Sequence, residues 1–521
     1  MAPTLPYPLD PSSRHWPLAV VLALSLLMPV AQAQAPRASP ALPALGDGDG
    51  MTLGAERQLG ERIARELYRD PDYLDDAVLG EYVQGLWQPL LAAARARGEL
   101  SPELEERFAW EILLGRDRSV NAFALPGGYL GVHLGLIGVV TRRDELASVL
   151  AHELSHVTQR HISRLIAQQE RQTPLMIGAM ILGALAASKN PQAAQAMIVG
   201  GQAAAAQTQL NFSRDMEREA DRVGYGVMTQ AGFDGQGFVS MFEKLQQASR
   251  LNDNGGYPYL RSHPLTTERI ADMQARQPLG APSAAPPHDL EHAMMAARAR
   301  VLSRPGVDIL RSWVAEADAP GSANLSAPRR VAVLYAAALA SAELRDLPRA
   351  GPLAARLAPL VVGDVRAARQ ARLLAAELAQ QGGQPARLAE LLQPGGMKDG
   401  IEPAGRPERL LLAAARVRTG QAGQATASLQ TWVTDHPRDA AAWQLLASAY
   451  SAQGQALRAL RAEGEARVAQ LDFAAARDRF KAAQEASRKG GGQPGDHIEA
   501  SIVDTRLRQV ETLLREQALE R

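Results

Sequence analysis

The sequence predicts a mainly α-helical protein, in which an α+β half with a small sheet is followed by an α-solenoid of helical repeats. Alanine, leucine and arginine dominate the composition and aromatic residues make up only 5%, which is typical of helical proteins. A length of 521 residues favours two or more domains. Lysine plus arginine and aspartate plus glutamate both number 56, and this balance argues against nucleic acid as a partner.

The C-terminal half carries a repeat with a period of 34 residues, which is the period of tetratricopeptide repeats. Its two clearest copies align at that spacing in the pairs Ala413 and Ala447, Ala425 and Ala459, and Arg406 and Ala440. Small residues are needed where paired helices approach closely, and large residues fill the gaps between repeats. We therefore expect tetratricopeptide-like repeats over residues 289–521 that bind peptides. A generic alanine-rich bundle is the alternative.

The N-terminal half contains the segment His152-Glu153-Leu154-Ser155-His156, preceded by helix-forming residues. Residues four apart on a helix share a face, so both imidazoles can reach one metal ion. Glu153 then lies beside that ion, where its carboxylate can take a proton from bound water. The spacing predicts a zinc site with His152 and His156 as ligands and Glu153 as the general base.

A third ligand is available further along the chain. Glu217 and Asp221 are four apart on a predicted helix, so one can bind zinc while the other accepts a hydrogen bond from a ligand histidine. Glu219 is expected to point elsewhere, toward solvent. Three protein ligands leave the fourth position for water, which is typical of a catalytic site. A charged helix face with Arg–Glu pairs is the alternative.

His-Glu-x-x-His followed by Glu-x-x-x-Asp resembles the Ste-type and HtpX-type family of gluzincin metallopeptidases. The resemblance implies a zincin-type metallopeptidase domain over residues 34–277 with one Zn²⁺ per chain. By the same resemblance, Glu217 is the third zinc ligand, and Asp221 is an orienting residue or a proton donor.

Upstream, residues 121–129 resemble the family's segment beside the cleft. The run of Asn121, Ala122, Phe123 and Ala124, followed by a Pro-Gly-Gly turn, predicts a hairpin or strand edge. An extended peptide can add to an open edge as a strand, so these four residues are predicted to bind substrate. The alternative is an ordinary hairpin that packs on the zinc helix.

Two residues bear on regulation and on the cleft. His263 stands in a Ser-His-Pro segment, and the resemblance implies that this histidine can occupy the open zinc position and hold the enzyme idle. The alternative is that His263 caps a helix that begins near Pro264. Arg269 is predicted to pack against the site or to contact substrate in the cleft.

Residues 1–33 have the pattern of a signal peptide, with an apolar stretch too short to span a bilayer and the cleavage pattern Ala31-Gln32-Ala33. This pattern predicts export to the periplasm.

The chain has no cysteine, which excludes disulfides and thiolate zinc ligands. A proline-rich stretch at 278–288 is a plausible linker. The apolar segment 174–206 is expected to form a buried helical hairpin, and a flap in peripheral contact with a membrane is the alternative.

A signal peptide, a zinc domain and repeats in this order resemble a periplasmic branch of the family. This implies unfolded or misfolded outer-membrane proteins as substrates, docking on the outer-membrane barrel assembly machinery, and a chaperone-like role. The predicted function is therefore a zinc-dependent endopeptidase and chaperone-like factor. One alternative is a non-proteolytic peptide-binding scaffold with a silent metal site. A weaker alternative is a structural zinc site closed by His263.

Overall fold

The computed structural model describes residues 51–168, 213–250, 256–277, 289–392, 405–488 and 496–519. The predicted signal peptide, the predicted linker and the apolar segment 174–206 lie outside these ranges. Within them, no helix is both long and apolar enough to cross a bilayer.

A small sheet lies in the N-terminal half of the described chain. Its strands are β1 (Tyr73–Leu74), β2 (Glu111–Gly115), β3 (Ala122–Leu125) and β4 (Tyr129–His133). They stand in the order β1-β2-β4-β3, with β2 parallel to β4 and β3 antiparallel to β4. The turn Pro126–Gly128 joins β3 to β4, and its two glycines have φ of 71° and 84°, which favours residues without a Cβ. The predicted hairpin is therefore confirmed, and β3 is an edge strand.

The sheet is surrounded by helices. They are α1 (Leu53–Arg69), α2 (Ala77–Ala96), α3 (Pro102–Arg107), α4 (Leu134–Val139), α5 (Arg143–Thr158), α6 (His161–Gln168), α7 (Arg214–Gln230), α8 (Gln236–Arg250), α9 (Tyr259–Ser262) and α10 (Thr267–Ala275). Polar side chains fix where several of them begin. Asp76 accepts from the N–H of Leu79 at 2.8 Å, and Ser213 accepts from the N–H of Met216 at 3.2 Å.

Helix α5 forms the centre of this half. Every residue from Glu145 to Thr158 is buried, because α5 lies against β3 and the helices α2, α7 and α8. At its start, Glu145 accepts a hydrogen bond from the N–H of Thr141 at 2.7 Å. A Cβ at Gly224 of α7 would lie 3.0 Å from the carbonyl oxygen of Ala151, so glycine permits the close approach of α7 to α5.

The C-terminal half of the described chain is helical. Its helices are α11 (Leu290–Leu302), α12 (Val307–Glu316), α13 (Ala327–Glu343), α14 (Leu347–Ala355), α15 (Val365–Gln381), α16 (Pro385–Leu392), α17 (Arg406–Arg418), α18 (Ala422–Asp435), α19 (Ala440–Ala452), α20 (Ala456–Ala469), α21 (Phe473–Arg488) and α22 (Asp496–Leu519). The pair α17–α18 begins again as α19–α20 after the predicted 34 residues. The predicted mainly helical fold class with a small sheet is confirmed.

The first helix after the predicted linker packs against the N-terminal half. Helix α11 lies on α4 and α2, and apolar residues of both halves belong to one continuous core. Arg298 of α11 has a side chain only 5% exposed, and its Nη2 lies 2.6 Å from Asp76 and 2.7 Å from Glu377 of α15. The division into domains at residues 277 and 289 stays a prediction.

Candidate active site

The three predicted zinc ligands lie together in the core. His152 and His156 project from one face of α5, with their Nε2 atoms 3.0 Å apart. Glu217 of α7 reaches both, because its Oε2 lies 3.5 Å from His152 Nε2 and its Oε1 lies 3.4 Å from His156 Nε2. His263 adds a fourth donor, with Nδ1 3.3 Å from His152 Nε2 and 3.0 Å from Glu217 Oε1. None of the four residues is more than 2% exposed.

This donor set fits a zinc ion. Zinc bonds of about 2.0–2.1 Å in tetrahedral geometry separate neighbouring ligand atoms by about 3.4 Å. The donor atoms of His152, His156, Glu217 and His263 lie 3.0–3.5 Å apart in the pairs measured above. Imidazole nitrogens and carboxylate oxygens donate electron pairs. When several of them lie close together and away from water, a cation between them stabilises the arrangement. The four residues form a group that can hold a metal ion.

The pKa values of the ligands respond to burial and to each other. Burial lowers the pKa of His156 well below its ordinary value, which keeps this imidazole neutral. Burial alone would raise the pKa of Glu217, yet the neighbouring His263 and hydrogen bonds from His152 and His156 hold it well below its ordinary value. Burial also opposes protonation of His152, but hydrogen bonds to Asp221 and Glu217 raise its pKa to about 9. His152 can bind a metal ion through Nε2 only as the neutral imidazole.

Asp221 and Arg269 form a buried support behind His152. The Nδ1 of His152 lies 3.0 Å from Asp221 Oδ1, which directs Nε2 toward the other donors. Arg269 donates to Asp221 from Nε at 2.6 Å and from Nη2 at 2.8 Å, and its Nη1 lies 2.8 Å from Glu217 Oε2. Burial would raise the pKa of Asp221, but Arg269 lowers it below its ordinary value. Arg269 is 3% exposed, which fits the packing role, and its contact with substrate stays a prediction.

Glu153 lies between the donor set and the sheet. Its Oε2 accepts a hydrogen bond from the N–H of Ala124 at 2.8 Å. Its Oε1 accepts no hydrogen bond from any described residue, and His263 Nε2 lies 3.4 Å away. Burial raises the pKa of Glu153, which makes the carboxylate a stronger proton acceptor. One oxygen is thus held in place while the other can receive a proton.

The four residues predicted to bind substrate lie on or beside β3. Asn121 precedes the strand, and Ala122 and Ala124 are buried. The ring of Phe123 covers Gly131 of β4, where a Cβ would lie 2.1 Å from a ring carbon. Among the described strands, β3 pairs with β4 alone, so its other edge faces the side where Glu153 lies.

His263 enters the site from the end of α9. Its ring stacks on Tyr259, with centroids 4.5 Å apart and planes at 29°. The helix of the alternative interpretation, in which His263 is a cap, does not begin near Pro264. It begins at Thr267, because the side chain of Thr266 accepts a hydrogen bond from the N–H of Arg269 at 3.2 Å and forms the N-cap. The His263 side chain therefore points at the metal ligands instead of capping α10.

His161 was not singled out in the sequence, and the structure places it near the predicted ligands together with Glu219. His161 lies with its Nδ1 2.8 Å from His156 Nδ1, and its Nε2 lies 3.1 Å from Glu219 Oε2. Glu219, which was expected to face solvent, is half-buried, and it also accepts a hydrogen bond from Arg164 at 2.8 Å. Burial lowers the pKa of His161 to about 4, so this imidazole is neutral.

Comparison with known proteins agrees with this geometry. The model of peptidase family M48 matches residues 92–277. A putative beta-barrel assembly-enhancing protease of Vibrio cholerae is 33% identical over 349 residues, which cover 66% of this chain and 69% of that protein. The Escherichia coli beta-barrel assembly-enhancing protease is 33% identical over 261 residues, which cover 50% of this chain and 51% of that protein.

A more distant relative comes from mitochondria. The metalloendopeptidase OMA1 of Saccharomyces cerevisiae is 27% identical over 198 residues, which cover 37% of this chain and 54% of that protein. Together with the buried His–His–Glu–His group, these relatives confirm the predicted zinc cofactor and the predicted enzyme class, a zinc metallopeptidase. The chain belongs to peptidase family M48.

Proposed function

We propose that this chain is a zinc-dependent endopeptidase and chaperone-like factor of the periplasm. It cleaves unfolded or misfolded outer-membrane proteins and aids the barrel assembly machinery of the outer membrane. The catalytic part is supported by one observation, the convergence of His152, His156 and Glu217 beside Glu153 in a buried site. The names of the Vibrio cholerae and Escherichia coli relatives support the substrate class and the compartment.

His152, His156 and Glu217 would hold the metal ion. When bound, zinc supplies Lewis acidity that polarises the scissile carbonyl and lowers the pKa of water. Asp221 keeps the proton of His152 on Nδ1, so that Nε2 remains a ligand atom. Arg269 holds Asp221 and Glu217 in these positions through its buried ion pairs.

Glu153 would act as the general base and then as the general acid. Its Oε1 takes the proton from the attacking water, while the N–H of Ala124 holds Oε2 in place. The same carboxyl group then delivers a proton to the leaving amine nitrogen. An extended substrate would pair with β3 on the edge beside Glu153, at positions other than Ala124, because the N–H of Ala124 is donated to Glu153.

His263 would regulate the site. Its imidazole lies within 3.3 Å of two ligand side chains, where it competes for the position that water needs. A substrate or partner that draws α9 outward would free this position.

The catalytic role is tested by Glu153→Gln. Gln keeps the shape of the side chain and can still accept from Ala124, but it cannot take a proton. We expect a folded enzyme that retains zinc and cleaves an unfolded outer-membrane barrel protein at least about 100-fold more slowly. Glu268→Gln, which alters an exposed glutamate paired with Arg218, is the control. Near-normal cleavage by zinc-loaded Glu153→Gln would refute the role.

The second candidate function is a scaffold with a silent metal site. It is favoured by the fourth donor, because four protein ligands are typical of structural zinc sites. Complementation of a strain that lacks the protein separates the two. A scaffold predicts full rescue by Glu153→Gln, whereas a protease predicts loss of the functions that need cleavage.

The regulatory role is tested by His263→Ala. Removal of the imidazole is expected to raise basal cleavage of an unfolded substrate. His436→Ala, which removes an exposed imidazole stacked on Trp432, is the control. An unchanged or lower rate in a stably folded His263→Ala protein would argue against gating.

A further inference from the structure

We infer that His161 and Glu219 are positioning residues for His156 and that they set the affinity of the site for zinc. This inference rests on the proposed role of His156 as a ligand. His161 and Glu219 contact no reacting atom, and they act through a chain of hydrogen bonds that ends at His156.

The backbone brings His161 back toward the metal site. If α5 continued as one helix, His161 would not lie on the face that carries His152 and His156, because only residues three or four apart are neighbours on a helix surface. Here α5 ends at Thr158, and Arg160 adopts a φ of 53°, a left-handed conformation that is uncommon for arginine. The Nε of Arg160 lies 3.1 Å from the buried carboxylate of Glu56, and its guanidinium also bonds to the carbonyl of Met51. These contacts stabilise the turn that folds His161 against His156.

The hydrogen-bond chain has a single consistent proton arrangement. His156 directs Nε2 at the donor set, so its proton must lie on Nδ1 when it binds a metal ion. With Nδ1 atoms 2.8 Å apart, His161 must accept this proton at its own Nδ1. Its proton therefore lies on Nε2 and is donated to Glu219 Oε2 at 3.1 Å. Arg164 fixes the same carboxylate oxygen at 2.8 Å.

The two ligand histidines are thus supported differently. The Nδ1 of His152 lies 3.0 Å from a carboxylate oxygen of Asp221, which buried Arg269 holds in place. His156 reaches its carboxylate, Glu219, only through the neutral ring of His161. Without His161, the Nδ1–H of His156 loses this hydrogen bond, and the proton can move to Nε2, where it blocks ligation.

The test measures zinc affinity and not only cleavage. The full chain is stripped of metal, and the zinc dissociation constant is measured by competition with a chromophoric chelator for wild type, His161→Phe, His161→Gln and Glu219→Gln. His436→Phe is the control for loss of an unrelated imidazole. The melting temperature of each metal-free protein reports folding. We expect His161→Phe to weaken zinc binding about 10–100-fold, with little change in the metal-free melting temperature.

The conservative variant distinguishes positioning from packing. Gln at position 161 can accept from His156 with its carbonyl and donate to Glu219 with its amide, so it should restore most of the affinity. Glu219→Gln should give an intermediate loss. The inference is overturned if His161→Phe binds zinc as wild type does, or if only the metal-free melting temperature falls. Should His161→Phe not fold, wild-type affinity in Glu219→Gln would overturn it. A wild-type chain that binds no zinc would instead refute the proposed function.

Discussion

Arg269 offers a sharp test of how the site is held together. The change Arg269→Met keeps much of the length of the side chain but removes its charge and its donors. Wild-type Arg269 makes close ion pairs with Asp221 and Glu217, at 2.6 Å and 2.8 Å, and all three side chains are at most 4% exposed. The variant leaves two carboxylates buried without this counter-charge.

The expected cost follows from this geometry. A pair of unit charges about 4 Å apart at an effective dielectric constant of about 20 interacts by roughly 4 kcal/mol. Removal of one partner from a buried pair typically costs about 3–5 kcal/mol. Because two carboxylates lose the same partner, we expect the free energy of unfolding of the metal-free protein to fall by about 5 kcal/mol, at the upper end of that range.

The measurement is urea unfolding in the presence of a chelator, since bound zinc would stabilise the folded state by mass action. Arg218→Met is the matched control, because Arg218 joins the same helices, α7 and α10, through an exposed pair with Glu268. The control is expected to change the unfolding midpoint far less, because exposed ion pairs contribute little. Equal midpoints for Arg269→Met and Arg218→Met would refute the reasoning.

Two further predictions concern packing and charge. Gly224→Ala places a methyl group 3.0 Å from the carbonyl oxygen of Ala151, which moves α7 away from α5. We expect the free energy of unfolding, measured by thermal unfolding, to fall by about 1–3 kcal/mol and zinc binding to weaken. Unchanged stability and affinity would contradict this. Asp439 has a pKa that burial would raise but that Arg406 lowers, so Asp439→Asn is expected to cost about 1.5–3 kcal/mol at neutral pH. The folded pKa is depressed, so this contribution is complete above about pH 4 and is lost as pH falls further, and urea unfolding at pH 7 and pH 3 checks the sign. A difference from wild type that persists undiminished at pH 3 would count against it.

The parts of the site that depend on helical spacing were predictable from the sequence. His152, Glu153 and His156 lie on one helix, so their relative positions follow from its geometry. Glu217 required a second helix at the correct distance, and its spacing to Asp221 together with the resemblance to the gluzincin motif suggested it. The hairpin at β3 followed from its turn residues, because glycine tolerates the positive φ that the turn needs.

His161 could not be predicted in the same way. Its position depends on the left-handed turn at Arg160, a residue type with no preference for that conformation. The turn is held by Glu56, which lies far away along the chain. The alternative of a helix that begins near Pro264 fails because Thr266, two residues later, supplies the N-cap of α10.

The repeats show the same limit at a larger scale. The regular spacing of α17 to α20 was predictable because small residues recur at an interval of 34 residues. The packing of α11 on α4 could not be predicted from the sequence. The two helices lie on opposite sides of the predicted linker, and no repeated residue pattern relates them.

The shared core around α11 affects how this chain can be divided, by experiment or in evolution. A fragment cut at the proline-rich stretch would uncover the apolar surface of α4 and leave Asp76 without Arg298. A gene fusion that joined this peptidase to a different array would have to bring α11 with it. In the folded protein, α11 therefore contributes to the core of both halves.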